Sequence, residues 1–360
     1  LHGMIWFCYA KVRVSERKTK INQFNFGFSE RKYLRSCRSK VLPFGKIKIL
    51  LFFLSLNRTF AYVMIIMLGD VAKNNKIKEN WKLIPGLAPT EMDLRILEFQ
   101  NRGKLCPTRD LIKNQEQIEG IRRAGALNTA VLDEVANRIR EGMSTEEINR
   151  IVHDFTIKHG GIPAPLNYEG FPKSCCTSVN EVVCHGIPSE DLILEEGDII
   201  NVDCTTILNG YYADASRMFV IGKTTEQKQR LVDVAWECLK VGEKVCSEPY
   251  VFVGDLGNAI QKHAHANGFS VVRDLCGHGV GCRFHEEPEV EHFGHKGTGM
   301  LLVPGMTFTI EPMINTGTWR VFIDDEDPYG WEVITDDELP SAQWEHTYLM
   351  TENGVEILTH

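Results

Sequence analysis

An α+β domain made of two similar halves is what the sequence predicts, and three observations lead there. Helical and strand-like patterns follow one another in the same order twice, helix, helix, strands, over two stretches of about 110 residues. An Asn-Gly pair stands between two β-rich runs, and a second stands between the last two runs of the chain. With 43% hydrophobic and 24% charged residues in 360, the chain can bury a large core and is neither disordered nor fibrous. Identity between the halves is too weak to count as a sequence repeat, so the duplication rests on element order, and it puts a site at the seam.

Composition narrows the class further. Eleven cysteines without any C-x-x-C pair, two of them adjacent at Cys175 and Cys176, exclude a disulfide-stapled secreted scaffold and a four-cysteine zinc module. Reduced thiols in a cytoplasmic protein fit. A formal charge of -8 argues for neither nucleic acid nor an acidic membrane surface as partner. Residues 1–69 depart from that balance: 13 Lys and Arg face only Glu16 and Glu30, a net +11 that leaves -19 for the rest. This stretch lacks clear periodicity, and its apolar runs, Ile49 to Leu56 and Phe60 to Leu68, fall short of the roughly 20 residues of a membrane span. Three readings stay open for residues 1–66: translated upstream sequence with Met64 or Met67 as the natural start, a targeting segment without a recognisable cleavage site, and a folded module.

The remaining elements follow in order. Residues 67–110 are expected to form an extended arm, because Pro85, Pro89 and Pro107 disfavour helix. The domain proper is expected over 111–360. Ile118, Ile121, Ala124, Leu127, Val131, Leu132, Val135 and Ile139 recur at three- and four-residue steps, one stripe of a long helix that Asn114 and Gln117 can cap. Ser144 and Glu147 have capping-box spacing and open a second helix that stops at Gly160 and Gly161. Helices are expected again from Thr225 to Val245 and from Val253 to Ala266, the latter ending near Gly268, with strands after them.

The chemistry concentrates in strands. In Asp198 to Phe219 a two-residue turn at Asn209 and Gly210 pairs Leu208 with Tyr211, so Thr205 faces Asp214 and Asp203 shares their face. The two aspartates are then diagonal neighbours roughly 7 to 8 Å apart at the backbone. Taken alone, they also fit a solvated hairpin edge. Glu311 ends an apolar strand and is stopped by Pro312; Glu345 lies in a strand paired across the turn at Asn353 and Gly354. His278 lies among three glycines, and His285 follows seven residues later. Two aspartates, two glutamates and one imidazole form an oxygen-rich set suited to a pair of divalent metals about 3.5 to 4 Å apart. There is no H-E-x-x-H, which argues against a single-zinc helical protease.

CHGIP with His185, NVDCT with Asp203, YYADASRMF with Asp214, CGHGVG with His278, TIEPM with Glu311 and SAQWEHT with Glu345 stand in one order and spacing. Together they closely resemble methionine aminopeptidases over about Leu111 to His360, and the 33-residue step from His278 to Glu311 matches type I. A cysteine and histidine array is missing from the first 110 residues, which favours a bacterial or organellar form. The resemblance implies the pita-bread fold: pseudo-two-fold halves with a curved antiparallel sheet covered by helices. It implies two divalent ions, cobalt, manganese, iron or zinc by availability, held by Asp203, Asp214, His278, Glu311 and Glu345. Water activated between the ions would attack the peptide bond, with Glu311 as proton acceptor and later donor. His285 would donate to the scissile carbonyl and His185 would contact the substrate amide. Tyr168, Phe171, Cys176, Phe284 and Trp331 would line the methionine pocket, with Pro165 and Phe171 standing where many relatives have cysteine and tyrosine. Removal of N-terminal methionine before a small second residue is the implied activity. The implied partners are nascent-chain N-termini at the ribosome, with no specific nucleic acid and no membrane; the protein would be a monomer, cytoplasmic, or organellar if the leader is a transit peptide. A proline-specific aminopeptidase and a pita-bread binding module without activity are the competing readings. The acidic run Asp324, Asp325, Glu326 and Asp327 beside Trp331 is expected to be a solvated loop, slightly longer than usual for the family.

Overall fold

The computed structural model describes residues 81–323 and 327–360, and the backbone of three earlier strands, Arg38–Phe44, Ile47–Leu56 and Phe60–Gly69. The chain divides into two compact units, Leu1–Lys78 and Glu79–His360. In the first, the three strands pair antiparallel in chain order, with Leu50 between Val41 and Ile66. The two apolar runs that show no periodicity are thus its second and third strands. The basic stretch up to residue 37, and Asp324, Asp325 and Glu326, lie outside the described residues.

The second unit begins differently from the extended arm expected over 81–110. Helix α1 (Glu91–Asn101) lies there, just behind Pro89. Thr90 accepts a hydrogen bond from the N–H of Asp93, whose carboxylate accepts one from the N–H of Thr90. The prolines flank this helix instead of preventing it, and aspartate in place of the usual Glu or Gln obscures its capping box. Trp81, Ile96 and Leu111 are buried in the core of the second unit.

Helices α2 (Gln115–Ala136) and α3 (Thr145–Lys158) start at the capping boxes of Asn114 with Gln117 and Ser144 with Glu147. Their apolar stripes pack on strands β1 (Cys176–Val179), β2 (Ile199–Leu208) and β3 (Tyr211–Val220). Val131, Leu132, Ile148 and Val152 meet Ile200, Val202, Cys204 and Ala215 there in one core. Leu208 pairs with Tyr211, and Asn209 and Gly210 both have positive φ, 52° and 84°, as a type I′ turn requires.

The second half repeats the order. Helices α4 (Glu226–Val245), capped by Thr225, and α5 (Val253–Ala266) precede strands β4 (Gly277–Gly279), β5 (Glu286–Val290), β6 (Thr307–Ile310), β7 (Ser341–Gln343), β8 (His346–Thr351) and β9 (Gly354–Ile357). Five of these form an antiparallel sheet in the order β5-β4-β6-β8-β9. Its Phe308, Ile310, Tyr348 and Met350 pack with Leu231, Leu239, Leu256 and Ile260 of the helices. The last turn is shifted by one residue from the expected Asn353-Gly354: Thr351 pairs with Gly354, so Glu352 and Asn353 form it. Gly354 has φ +98° and its Cβ would come within 2.3 Å of the Ser247 carbonyl, so glycine serves a close approach there.

The halves are stitched along β3 and β8. Ser216 and Glu345 exchange backbone hydrogen bonds, the Asp214 N–H donates to Thr347 Oγ1, and Asn201 Nδ2 donates to the Gln343 carbonyl at 2.7 Å. No helix among the described residues is long and apolar enough to cross a membrane. One buried polar residue ties α2 to the hairpin: Asn128 is fully buried and its amide donates to the Cys204 carbonyl and, at 3.2 Å, to that of Ala213. Asn128→Ala leaves both carbonyls short of a donor and is predicted to lower unfolding free energy by about 1 to 3 kcal/mol, measured by denaturant titration.

Candidate active site

All five expected ligand residues converge at the seam. Asp203 and Asp214 come from the hairpin of the first half; His278 on β4, Glu311 just after β6 and Glu345 between β7 and β8 come from the second. The hairpin register sets the first two. Thr205 pairs with Asp214 and Asp203 with Ser216, so both carboxyls face the same side. Thr205 Oγ1 donates to Asp214 Oδ1 at 2.8 Å, which fixes its rotamer. Glu311 is fixed likewise: Thr309 Oγ1 donates to its Oε1 at 2.7 Å and Gln343 Nε2 to its Oε2 at 3.0 Å. Its N–H donates to His292 Nε2 at 3.0 Å.

His278 has the tautomer of a ligand. Its Nδ1 lies 2.9 Å from the Gly279 carbonyl, an acceptor, so Nδ1 carries the proton and Nε2 a lone pair. That lone pair stands 3.7 Å from Asp214 Oδ2 and 3.6 Å from Glu311 Oε1, too far for hydrogen bonds but suited to donors grouped about a shared ion. Ligand atoms of Asp214, His278 and Glu345 lie within 4.8 Å of one another. Glu345 Oε1 is fully buried and has no hydrogen-bond partner.

The electrostatics ask for positive charge. Without a cation, burial pushes Asp203 up to about 7 and Glu311 up to about 8. Burial, with repulsion from the neighbouring acids, pushes Asp214 and Glu345 well above the usual carboxylate range. Among the described residues no lysine or arginine offsets them, and burial pushes His278 down to about 3, so it stays neutral. Four acids and a neutral imidazole, oxygen-rich and desolvated, fit divalent cations.

Aromatic side chains wall the site in two groups. Trp331 meets Phe171 and His185 edge to face, with centroids 5.7 Å and 5.6 Å away. Tyr168 packs on Phe284 and His285, and Phe284 stacks on His285 at 4.2 Å. The short turn Tyr168–Gly170 joins the two groups, and Pro165 just before it is buried. Cys176 is buried in register with Asp203, which places its thiol beside the acids. His185 holds a left-handed φ of 59°, and the Cβ of any residue at Gly186 would lie 2.2 Å from the Thr177 carbonyl. Strain of this kind needs surrounding structure to hold it, and it is common where a side chain must be aimed. His285 is exposed, with Nδ1 2.9 Å from Tyr168 Oη.

Thr205, Thr309, Gln343 and His292, which orient the acids, are absent from the sequence expectation. Thr205 was within reach, since the hairpin register already puts it opposite Asp214. Thr309 is two residues from Glu311, while Gln343 comes from another strand and His292 from the bend after β5, and neither carries a local signal. Of the acidic run, Asp327 is described: its carboxylate accepts from the N–H groups of Tyr329, Trp331 and Glu332, so it folds the turn that carries Trp331.

The raised acids make the cation-free protein sensitive to pH. Protons bound only in the folded state stabilise it at low pH, and this contribution is lost as pH rises from the ordinary carboxylate range near 4 through about 7 to 8. Denaturation midpoints in a chelator should therefore fall across pH 5 to 8. Adding Mn2+ or Co2+ should remove most of that fall, because the ion favours the ionised acids.

Comparison with known proteins agrees with this geometry. Residues 119–352 match the metallopeptidase family M24. Methionine aminopeptidase A of Synechocystis is 50% identical over 246 residues, 68% of this chain and 96% of that protein. The crystal structure of methionine aminopeptidase from Rickettsia prowazekii superposes with a TM-score of 0.67 at 43% identity, over 69% of this chain and 99% of the other. Prolidase from Pyrococcus furiosus, at 23% identity and a TM-score of 0.55 over 71% of this chain and 68% of the other, shares the fold. The mixed helices and antiparallel sheets are those of the pita-bread fold, and the chain belongs to the metallopeptidase family M24.

Proposed function

We propose that this metallopeptidase removes N-terminal methionine from peptides and nascent chains whose second residue is small. The observation that carries the reading is one juxtaposition: Asp203, Asp214, His278, Glu311 and Glu345 converge where Cys176 is in register with Asp203 and the ring of Phe284 meets those of His278, His285 and Tyr168, and we read Tyr168, Phe171, Cys176, Phe284 and Trp331 as the lining of the methionine pocket. Aromatic edges and an un-ionised thiol suit a polarizable thioether; burial pushes the Cys176 thiol well up, so it stays protonated. Two divalent ions held by the five residues would supply charge that makes water nucleophilic at neutral pH and offsets the charge developing on the carbonyl.

The protein's own groups do the rest. Glu311, oriented from both sides by Thr309 and Gln343, takes the proton of the attacking water and returns it to the leaving amine. With Tyr168 Oη donating to its Nδ1, His285 carries its proton on Nε2, which can donate to the carbonyl oxygen as it gains charge. His185, aimed by its turn and braced by Trp331, meets the amide of the scissile bond. The residue after methionine must pass between the two imidazoles, so bulk there displaces the carbonyl.

Two measurements check this. Comparing kcat/KM for Met-Ala-Ser and Met-Lys-Ser should show a preference on the order of a hundredfold for alanine, the loss associated with a misplacement of about 1 Å. Equal values would overturn the geometry around His185 and His285, and cleavage of Ala-Pro-Ser in preference to both would favour a proline-specific enzyme. Glu311→Gln should keep the native circular dichroism yet lose about a hundredfold or more in kcat, since an amide cannot accept the proton; activity within threefold of the parent would remove that role.

A further inference from the structure

His285 and Phe284 occupy the tip of a short loop between β4 and β5. It begins at Gly281, whose φ of +139° few other residues adopt, and His285 itself is exposed. Tyr168 Oη and the Phe284 ring meet the imidazole itself, while the loop backbone that carries it needs a restraint of its own. The restraint comes from below, where Glu286, the first residue of β5, folds its carboxylate back under the loop. Glu286 Oε1 accepts from the N–H groups of both Cys282 and Arg283, each at 2.8 Å, so one oxygen closes the loop on itself. The other oxygen, Oε2, is 2.6 Å from Lys113 Nζ.

The Lys113 side chain is 2% exposed and that of Glu286 9%, so this ion pair is buried. Lys113 is anchored in turn, its N–H donating to the Gly305 carbonyl at 2.8 Å. Lys113 precedes α2 and lies 173 residues from Glu286, so the pair links the segment before α2 to the loop. Two charges placed in a desolvated position call for a reason, because well-packed apolar side chains in place of such a pair are often no less stable. We propose that Lys113 is a positioning residue for His285, acting through Glu286: its charge keeps the carboxylate buried, and the carboxylate keeps the loop N–H groups and hence the imidazole in place. Without the ammonium, the carboxylate turns toward water and releases Cys282 and Arg283.

The inference rests on the reading of His285 as the donor to the carbonyl, and a double-mutant cycle separates the two. Steady-state kinetics on Met-Ala-Ser are measured for the parent, Lys113→Met, His285→Ala and the double variant, all in the metal-loaded full chain. Lys113→Met is expected to lower kcat about 10- to 100-fold with His285 present, KM changing less than threefold, and by less than about twofold when His285 is already alanine. Equal losses in both backgrounds, or no loss in either, would overturn the inference while leaving His285 its role. A His285→Ala variant as active as the parent would overturn that role, and the inference with it. If Lys113→Met does not fold, Lys113→Met/Glu286→Ala removes both charges and the acceptor of the loop N–H groups together and is read in the same cycle with the same criterion.

Discussion

Four carboxylates brought together in a desolvated seam repel one another, and no protein cation among the described residues relieves them. Most of the surrounding architecture answers that constraint. Each acid sits on or beside a strand, where the backbone is held by ladder hydrogen bonds and cannot relax away from its neighbours. Each of the two most directly oriented acids has a threonine hydroxyl on one oxygen, Thr205 for Asp214 and Thr309 for Glu311. These hydroxyls cap one lone pair and leave others aimed into the seam, as ion binding needs.

Placing the acids on two halves has a second effect. Neither half holds a full set, since the hairpin gives two carboxylates and the five-stranded sheet with its flanks gives the imidazole and two more. The site therefore exists only when β3 and β8 are registered, through the exchange between Ser216 and Glu345 and the bonds of Asp214 to Thr347. A slip of one residue would turn the acids to the opposite face. The separate apolar cores behind each half fix the sheets independently, so the seam can stay polar without loss of rigidity.

The fold was legible where local rules act. The Asn209-Gly210 turn, the capping boxes at Asn114 and Ser144 and the helical stripe after them are written within a few residues, and the acid constellation followed from strand register and motif order. Helix α1 was hidden because three prolines dominate its neighbourhood and its cap uses aspartate. The turn before Gly354 was displaced because its glycine answers a contact with Ser247, more than 100 positions earlier. Gln343, His292 and Lys113 were invisible for the same reason: each acts through a partner distant in sequence, and nothing beside it in the chain marks the pairing.

Recognition and reaction are joined by one register. Cys176 pairs with Asp203, so the thiol and the first acid stand on neighbouring strands about 5 Å apart. If that thiol lines the methionine pocket, as proposed, a side chain that enters it fully sets where its own carbonyl falls relative to the acids, and one that enters partly leaves the carbonyl short of them. Trp331 extends the same logic to the other side, because its ring braces both Phe171 and His185, the residues proposed for the pocket and for the scissile amide. Asp327 holds the turn behind that ring. On the proposed reading, selectivity for the first residue and alignment of the bond after it are then one geometric property, and the aromatic neighbours that Phe171 shares with His185, and Tyr168 with His285, support both at once.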